Sequence, residues 1–67
     1  MAKKYREVRR ILMANGWRLV RTRGSHERWE HSDGRLVTVP GGGRSNAEVP
    51  RGTLASIRRS TGIEELR

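Results

Sequence analysis

The chain has 67 residues, with 15 Lys and Arg against seven Asp and Glu, and no cysteine. Such a length predicts one small domain over residues 1–67, which buries only about 60% of its unfolded surface. Without cysteine, no disulfide or thiolate–metal site can staple it. The net charge of +8 favours a polyanion as partner, RNA or DNA first and an acidic protein second.

The longest apolar runs, Ile11-Leu12-Met13-Ala14 and Leu19-Val20, are far short of a membrane span or secretory segment. No membrane partner is expected, and the lack of cysteine fits a cytoplasmic setting.

Lys3 to Ala14 has helical spacing. Tyr5, Val8, Ile11 and Leu12 form one apolar stripe, and Lys3, Lys4, Arg6, Arg9 and Arg10 take much of the remaining surface. Asn15-Gly16 ends the helix, with Gly16 suited to the left-handed position after it. Trp17 can then cover Leu12.

Trp17 to Arg23 reads as a short basic strand. Leu19 and Val20 are adjacent, so the alternation does not choose which faces the core. Gly24-Ser25 is a turn signal.

The next two strands take their register from the turn around Asp33-Gly34. A two-residue loop would put Trp29 opposite in facing to Val37 and Val39. A three-residue loop, Ser32-Asp33-Gly34, pairs His31 with Arg35 and Trp29 with Val37, so that Trp29, Val37 and Val39 share one face. A one-residue slip flips every side chain, so burial selects the second register. Gly34 supplies the left-handed residue that such a loop needs. Arg28, Glu30, Leu36 and Thr38 then lie on the other face.

Pro40 ends the third strand, and residues 41–49, "GGGRSNAEV", read as a flexible connection. The three glycines before Arg44 lack Walker spacing, so a plain connection is the reading, from which Arg44 could still touch a phosphate. Pro50 to Thr61 forms the second helix, with Leu54 and Ile57 inward and Arg58 and Arg59 outward. Gly62 ends it and lets Ile63 fold back on Ile57. The predicted class is α+β, in the order α-β-β-β-α. A three-stranded antiparallel sheet carries two helices on one face, the arrangement of double-stranded RNA-binding domains.

Two histidines and scattered carboxylates give no recognisable metal spacing, so neither metal nor cofactor is expected. RNA carries its own nucleophile, the 2′-hydroxyl. A histidine to move protons and cations to steady a charged phosphorane are enough to cleave it. His26 and His31 are too far apart along a strand to act as a couple. His31 reads as closing the hairpin. His26, flanked by Arg23 and Arg28, is the candidate.

The pieces "NGW", "RTRGSH", "WEHSDGRLVTVP" and "PRGTLASIRRSTGI", in this order and spacing, resemble the HicA family, the toxin half of HicA–HicB toxin–antitoxin systems. The resemblance covers nearly the whole chain. It implies a double-stranded-RNA-binding-like fold and an mRNA-cleaving toxin, an endoribonuclease that needs no metal. The active-site histidine falls at His26, in the Gly24-Ser25-His26 motif, and a HicB-like antitoxin masks the toxin.

Arg21, Arg23, Gly24, Ser25 and Arg28 are the RNA contacts expected by proximity to His26, with Lys3, Lys4, Arg9 and Arg10 a second set. Many relatives carry a further histidine after the Val-Pro that ends the third strand. Here Val39-Pro40 is followed by Gly41-Gly42-Gly43. Two other readings compete: a non-catalytic double-stranded RNA-binding module, and a module that meets an acidic protein.

Overall fold

The computed structural model describes residues 3–41 and 46–67. In chain order the elements are α1 (Tyr5–Ala14), β1 (Trp17–Arg23), β2 (His26–His31), β3 (Leu36–Pro40) and α2 (Arg51–Thr61). The strands form one antiparallel sheet in the order β1-β2-β3. This is the predicted α-β-β-β-α order. Both helices pack on the same side of the sheet, and the apolar core lies between the two layers.

α1 buries Tyr5, Val8 and Leu12, the three- and four-residue spacing that aligns one face of a helix. It begins two residues later than the charge pattern suggested. Lys3 and Lys4 are drawn into extended pairing with a later segment. Val49 N–H donates to Lys3 O at 2.8 Å, Tyr5 N–H donates to Ala47 O at 3.0 Å, and Lys4 bridges Glu48.

Residues 46–49 are therefore not part of a flexible connection, as the glycines before them suggested. Val49, 3% exposed, anchors them in the core, and burial of one such side chain is worth about 1.5–3 kcal/mol. Gly42, Gly43, Arg44 and Ser45, with the phosphate contact expected of Arg44, lie outside the described residues.

The β2–β3 hairpin has the three-residue loop. Trp29 pairs with Val37 and Glu27 with Val39. His31 N–H donates to Arg35 O at 2.9 Å, and Gly34, at φ +96°, donates to His31 O at 2.9 Å. Trp29, Val37 and Val39 are all buried.

β1 is irregular. Trp17 pairs with His31 and Leu19 with Trp29, but Arg21 pairs with Arg28 and Arg23 with His26, so the register shifts between Leu19 and Arg21. Val20 is the extra residue of a β-bulge. This resolves the Leu19-Val20 ambiguity: both stay exposed, and Trp17 alone of this strand is buried.

The last residues close the core. α2 buries Leu54, Ile57 and Thr61. The Thr61 hydroxyl donates to Ile57 O at 2.8 Å and accepts Ile63 N–H at 3.3 Å. Gly62, at φ +73°, turns the chain so that Ile63 and Leu66 are buried. Among the described residues no helix is long and apolar enough to cross a membrane.

Candidate functional site

The bulge decides which side chains share the uncovered face of the sheet. Directly paired residues point the same way, and neighbours along a strand point opposite ways. Three cross-strand rows therefore face away from the helices: Arg18–Glu30–Leu36, Arg21–Arg28–Thr38 and Arg23–His26–Pro40. A regular strand running on from Trp17 would have turned Arg21 and Arg23 to the helix side. The extra residue, Val20, sets both beside His26.

Gly24 and Ser25 form the two-residue turn between β1 and β2. Gly24 lies at φ +59° while Ser25 keeps a negative φ, the pattern of a type II′ turn with glycine first. A Cβ at Gly24 would meet nothing within 4 Å, so the backbone angle, not space, demands glycine. The turn places Arg23 and His26 directly opposite each other at the hairpin's end.

A shallow depression here is lined by Arg21, Arg23, His26, Glu27, Arg28 and Thr38. Among the described residues, the side chains of Arg21, Arg23, His26 and Arg28 have no hydrogen-bond or ion-pair partner. The three guanidinium groups and the imidazole stay available to a ligand. Thr38, which adds a hydroxyl, was not singled out from sequence. Its pairing with Arg28 across the hairpin was the available signal.

Glu27 is 4% exposed, with its carboxylate turned to the helix side. Arg9 grips it with two prongs, Nε to Oε1 at 3.2 Å and Nη2 to Oε2 at 2.7 Å. The indole N–H of Trp29 donates to Oε1 at 3.1 Å. The carboxylate is thus satisfied from behind the sheet and makes no contact with the cations of the depression. Arg9, grouped from sequence with the RNA contacts, ties α1 to β2. Lys3, Lys4 and Arg10 also belong to the α1 side, so this second set does not line the depression.

The other histidine is at the opposite end of β2. His31 Nδ1 accepts the Asp33 N–H at 3.1 Å, and Nε2 lies 3.0 Å from Asn15 O. Nδ1 also lies 3.1 Å from Asp33 Oδ1. The ring meets Trp17 edge-on at 5.1 Å, and Arg35 lies over the same indole at 5.3 Å. His31 joins the end of α1 to the hairpin loop, and it faces the helix side while His26 faces away. Among the described residues, no group of three or more His, Cys, Asp or Glu side chains is placed to hold a metal ion.

Fold and face together define a small, strongly basic α+β protein with one histidine set among arginines on an uncovered sheet. The family model for the HicA toxin of bacterial toxin–antitoxin systems matches residues 5–63. The chain belongs to that family. Its role is that of the toxin in a toxin–antitoxin pair, with a cognate antitoxin as partner. No curated protein matches the chain closely enough to count as a relative.

Proposed function

We propose that the chain is an endoribonuclease toxin that cleaves mRNA in the cytoplasm through His26 and is held in check by a HicB-like antitoxin. The observation that carries this reading is the row Arg23–His26 beside the row Arg21–Arg28–Thr38 on one open face. Arginines there bind the phosphodiester backbone and stabilise the charge that builds on phosphorus. His26 takes the proton from the 2′-hydroxyl or gives one to the departing 5′-oxygen. The 2′-oxygen bonds to phosphorus as the 5′-oxygen leaves, so the products are a 2′,3′-cyclic phosphate and a 5′-hydroxyl. No metal is needed for that step, because the nucleophile is already part of the RNA.

RNA cleavage by wild-type protein and His26→Ala, in nuclease-free preparations, tests the reading. Loss of one acid–base group costs about 10²–10⁴-fold, and His26 is exposed, so the variant keeps its fold. Equal cutting by the two proteins would sink the proposal. The alternative, RNA binding without cleavage, is favoured by one observation: among the described residues no second histidine lines the depression. It predicts salt-sensitive binding and intact RNA.

A further inference from the structure

A second concave surface lies on the helix layer, away from His26. Val49 and Leu54, both buried, and the part-exposed Ala55 line it together with Arg51, Arg58 and Arg67. Among the described residues no carboxylate side chain lines this groove.

Its arginines are positioned but not neutralised. Arg58 donates to Leu66 O at 3.1 Å, and Arg67 Nε donates to Glu64 O at 3.0 Å. Those carbonyls fix the guanidinium groups without cancelling their charge. The one nearby carboxylate, Glu64, is 89% exposed and 3.8 Å from Arg67, a distance and setting at which an ion pair contributes little. Arg51 has no side-chain partner among the described residues.

We propose that this groove docks an acidic segment with an apolar anchor from a partner protein, the antitoxin being the partner that family membership supplies. Charge complementarity argues for acid: three cations line a concavity that has no carboxylate side chain among its described lining residues. The apolar lining argues for a peptide over a nucleic-acid phosphate. A phosphate is satisfied by the arginines alone, whereas a peptide with carboxylates around a leucine uses both arginines and lining. Because the groove and the His26 face lie on different layers, docking here does not depend on the proposed cleavage site.

The first test is a titration of isotopically labelled protein with a short synthetic peptide, glutamate-rich with one central leucine. Amide shifts are expected at Val49, at residues 51–55 and at Arg67, and not around His26. Affinity is expected to fall by about tenfold in Arg51→Glu, as like charge replaces attraction, and to fall also in Ala55→Glu. His26→Ala leaves it unchanged.

Shifts centred on residues 21–28 would overturn the proposal. So would equal affinity for a peptide lacking the leucine, unchanged affinity in Arg51→Glu, or preferential filling of the groove by a 2′-deoxy oligonucleotide. The second test is amide hydrogen exchange of the toxin alone and in complex with its cognate antitoxin. Slower exchange over residues 49–55 in the complex is expected, and unchanged exchange there refutes the docking. Neither readout requires RNA cleavage, so failure of the nuclease reading leaves this test intact.

Discussion

Arg9 on α1 and Glu27 on β2 meet in a two-pronged ion pair, with the carboxylate 5% and the guanidinium side chain 23% exposed. Removing one partner of a buried pair leaves a charge that water cannot reach, which costs about 3–5 kcal/mol when both are fully enclosed. Arg9 keeps some contact with water, so Arg9→Ala is expected to cost about 2–3 kcal/mol. Small domains have little stability to lose. Urea unfolding with a double-mutant cycle over Arg9→Ala and Glu27→Gln measures the coupling. A cost within about 0.5 kcal/mol, the range of neutral surface changes, would show that the pair is not a clamp.

Gly41 lies against Tyr5. A Cβ built on it would sit 2.6 Å from the tyrosine hydroxyl oxygen and 3.0 Å from Cζ, and its φ is +77°. Gly41→Ala is therefore expected to lose about 1–2 kcal/mol from the left-handed backbone alone, and more from the clash. Tyr5→Phe removes the nearer atom. The same alanine substitution should cost less in that background, and equal costs in the two backgrounds would exclude the contact. A side chain at the position just after Pro40 thus meets the Tyr5 ring unless that ring shifts.

Asp33 has its carboxyl held below the ordinary aspartate value. The chief cause is the Arg35 backbone N–H, which donates to Oδ1 at 3.0 Å; desolvation opposes it, and the Arg35 side chain at 2.8 Å and the nearby His31 add to it. A depressed folded value stabilises the fold above the unfolded value, near 3.8. That stabilisation is lost as pH falls through the lower folded one. Asp33→Asn should make the acid-side decline of the urea midpoint shallower. Glu7 is lowered too, mainly by the Lys4 N–H, so part of the decline remains. An unaltered acid limb in Asp33→Asn would refute the assignment.

Much of this fold follows from local patterns. The Trp29–Val37 register was legible because only one loop length buries Trp29, Val37 and Val39 together. Glu27 shares the inward face with Trp29, but its partner, Arg9, is 18 residues away and has no local signature. Val49 and Leu66 were missed as core because each lies in a short segment without periodicity, held only by tertiary contacts. His26 beside Arg23 and Arg28 was legible from the turn. The facing of Arg21 was not, because the bulge at Val20 breaks the alternation from which facing is read.

His26 stands without a second histidine in the depression, which bears on the pH dependence of cleavage. Paired acid and base give a bell-shaped profile of kcat/KM. One group working with solvent gives one limb, rising with pH if His26 removes the 2′-hydroxyl proton and falling if it protonates the 5′-oxygen. A single limb is expected, and His26→Ala should abolish it. A symmetrical bell in wild type would require a second titrating group and reject the one-histidine scheme.

The bulge allows two deletions of equal length to give opposite results. Without Val20, the pairs Leu19–Trp29 and Arg21–Arg28 on either side of it become consecutive rungs of a regular ladder. Arg21 and Arg23 keep facing His26's side. Without Thr22, Arg23 stays opposite His26 across the same turn, but Arg21 moves opposite Glu27 and turns to the helix side, since a one-residue slip reverses facing. Val20 then stands beside Arg28. Thr22 is exposed in its present place, so a long side chain there has access to solvent and the fold survives. Deleting Val20 should therefore preserve RNA cleavage, and deleting Thr22 should lower it to the level of Arg21→Ala. Circular dichroism confirms folding and cleavage assays rank the proteins. Equal loss in both would mean that the bend of the bulge, rather than the facing of Arg21, is what the site requires.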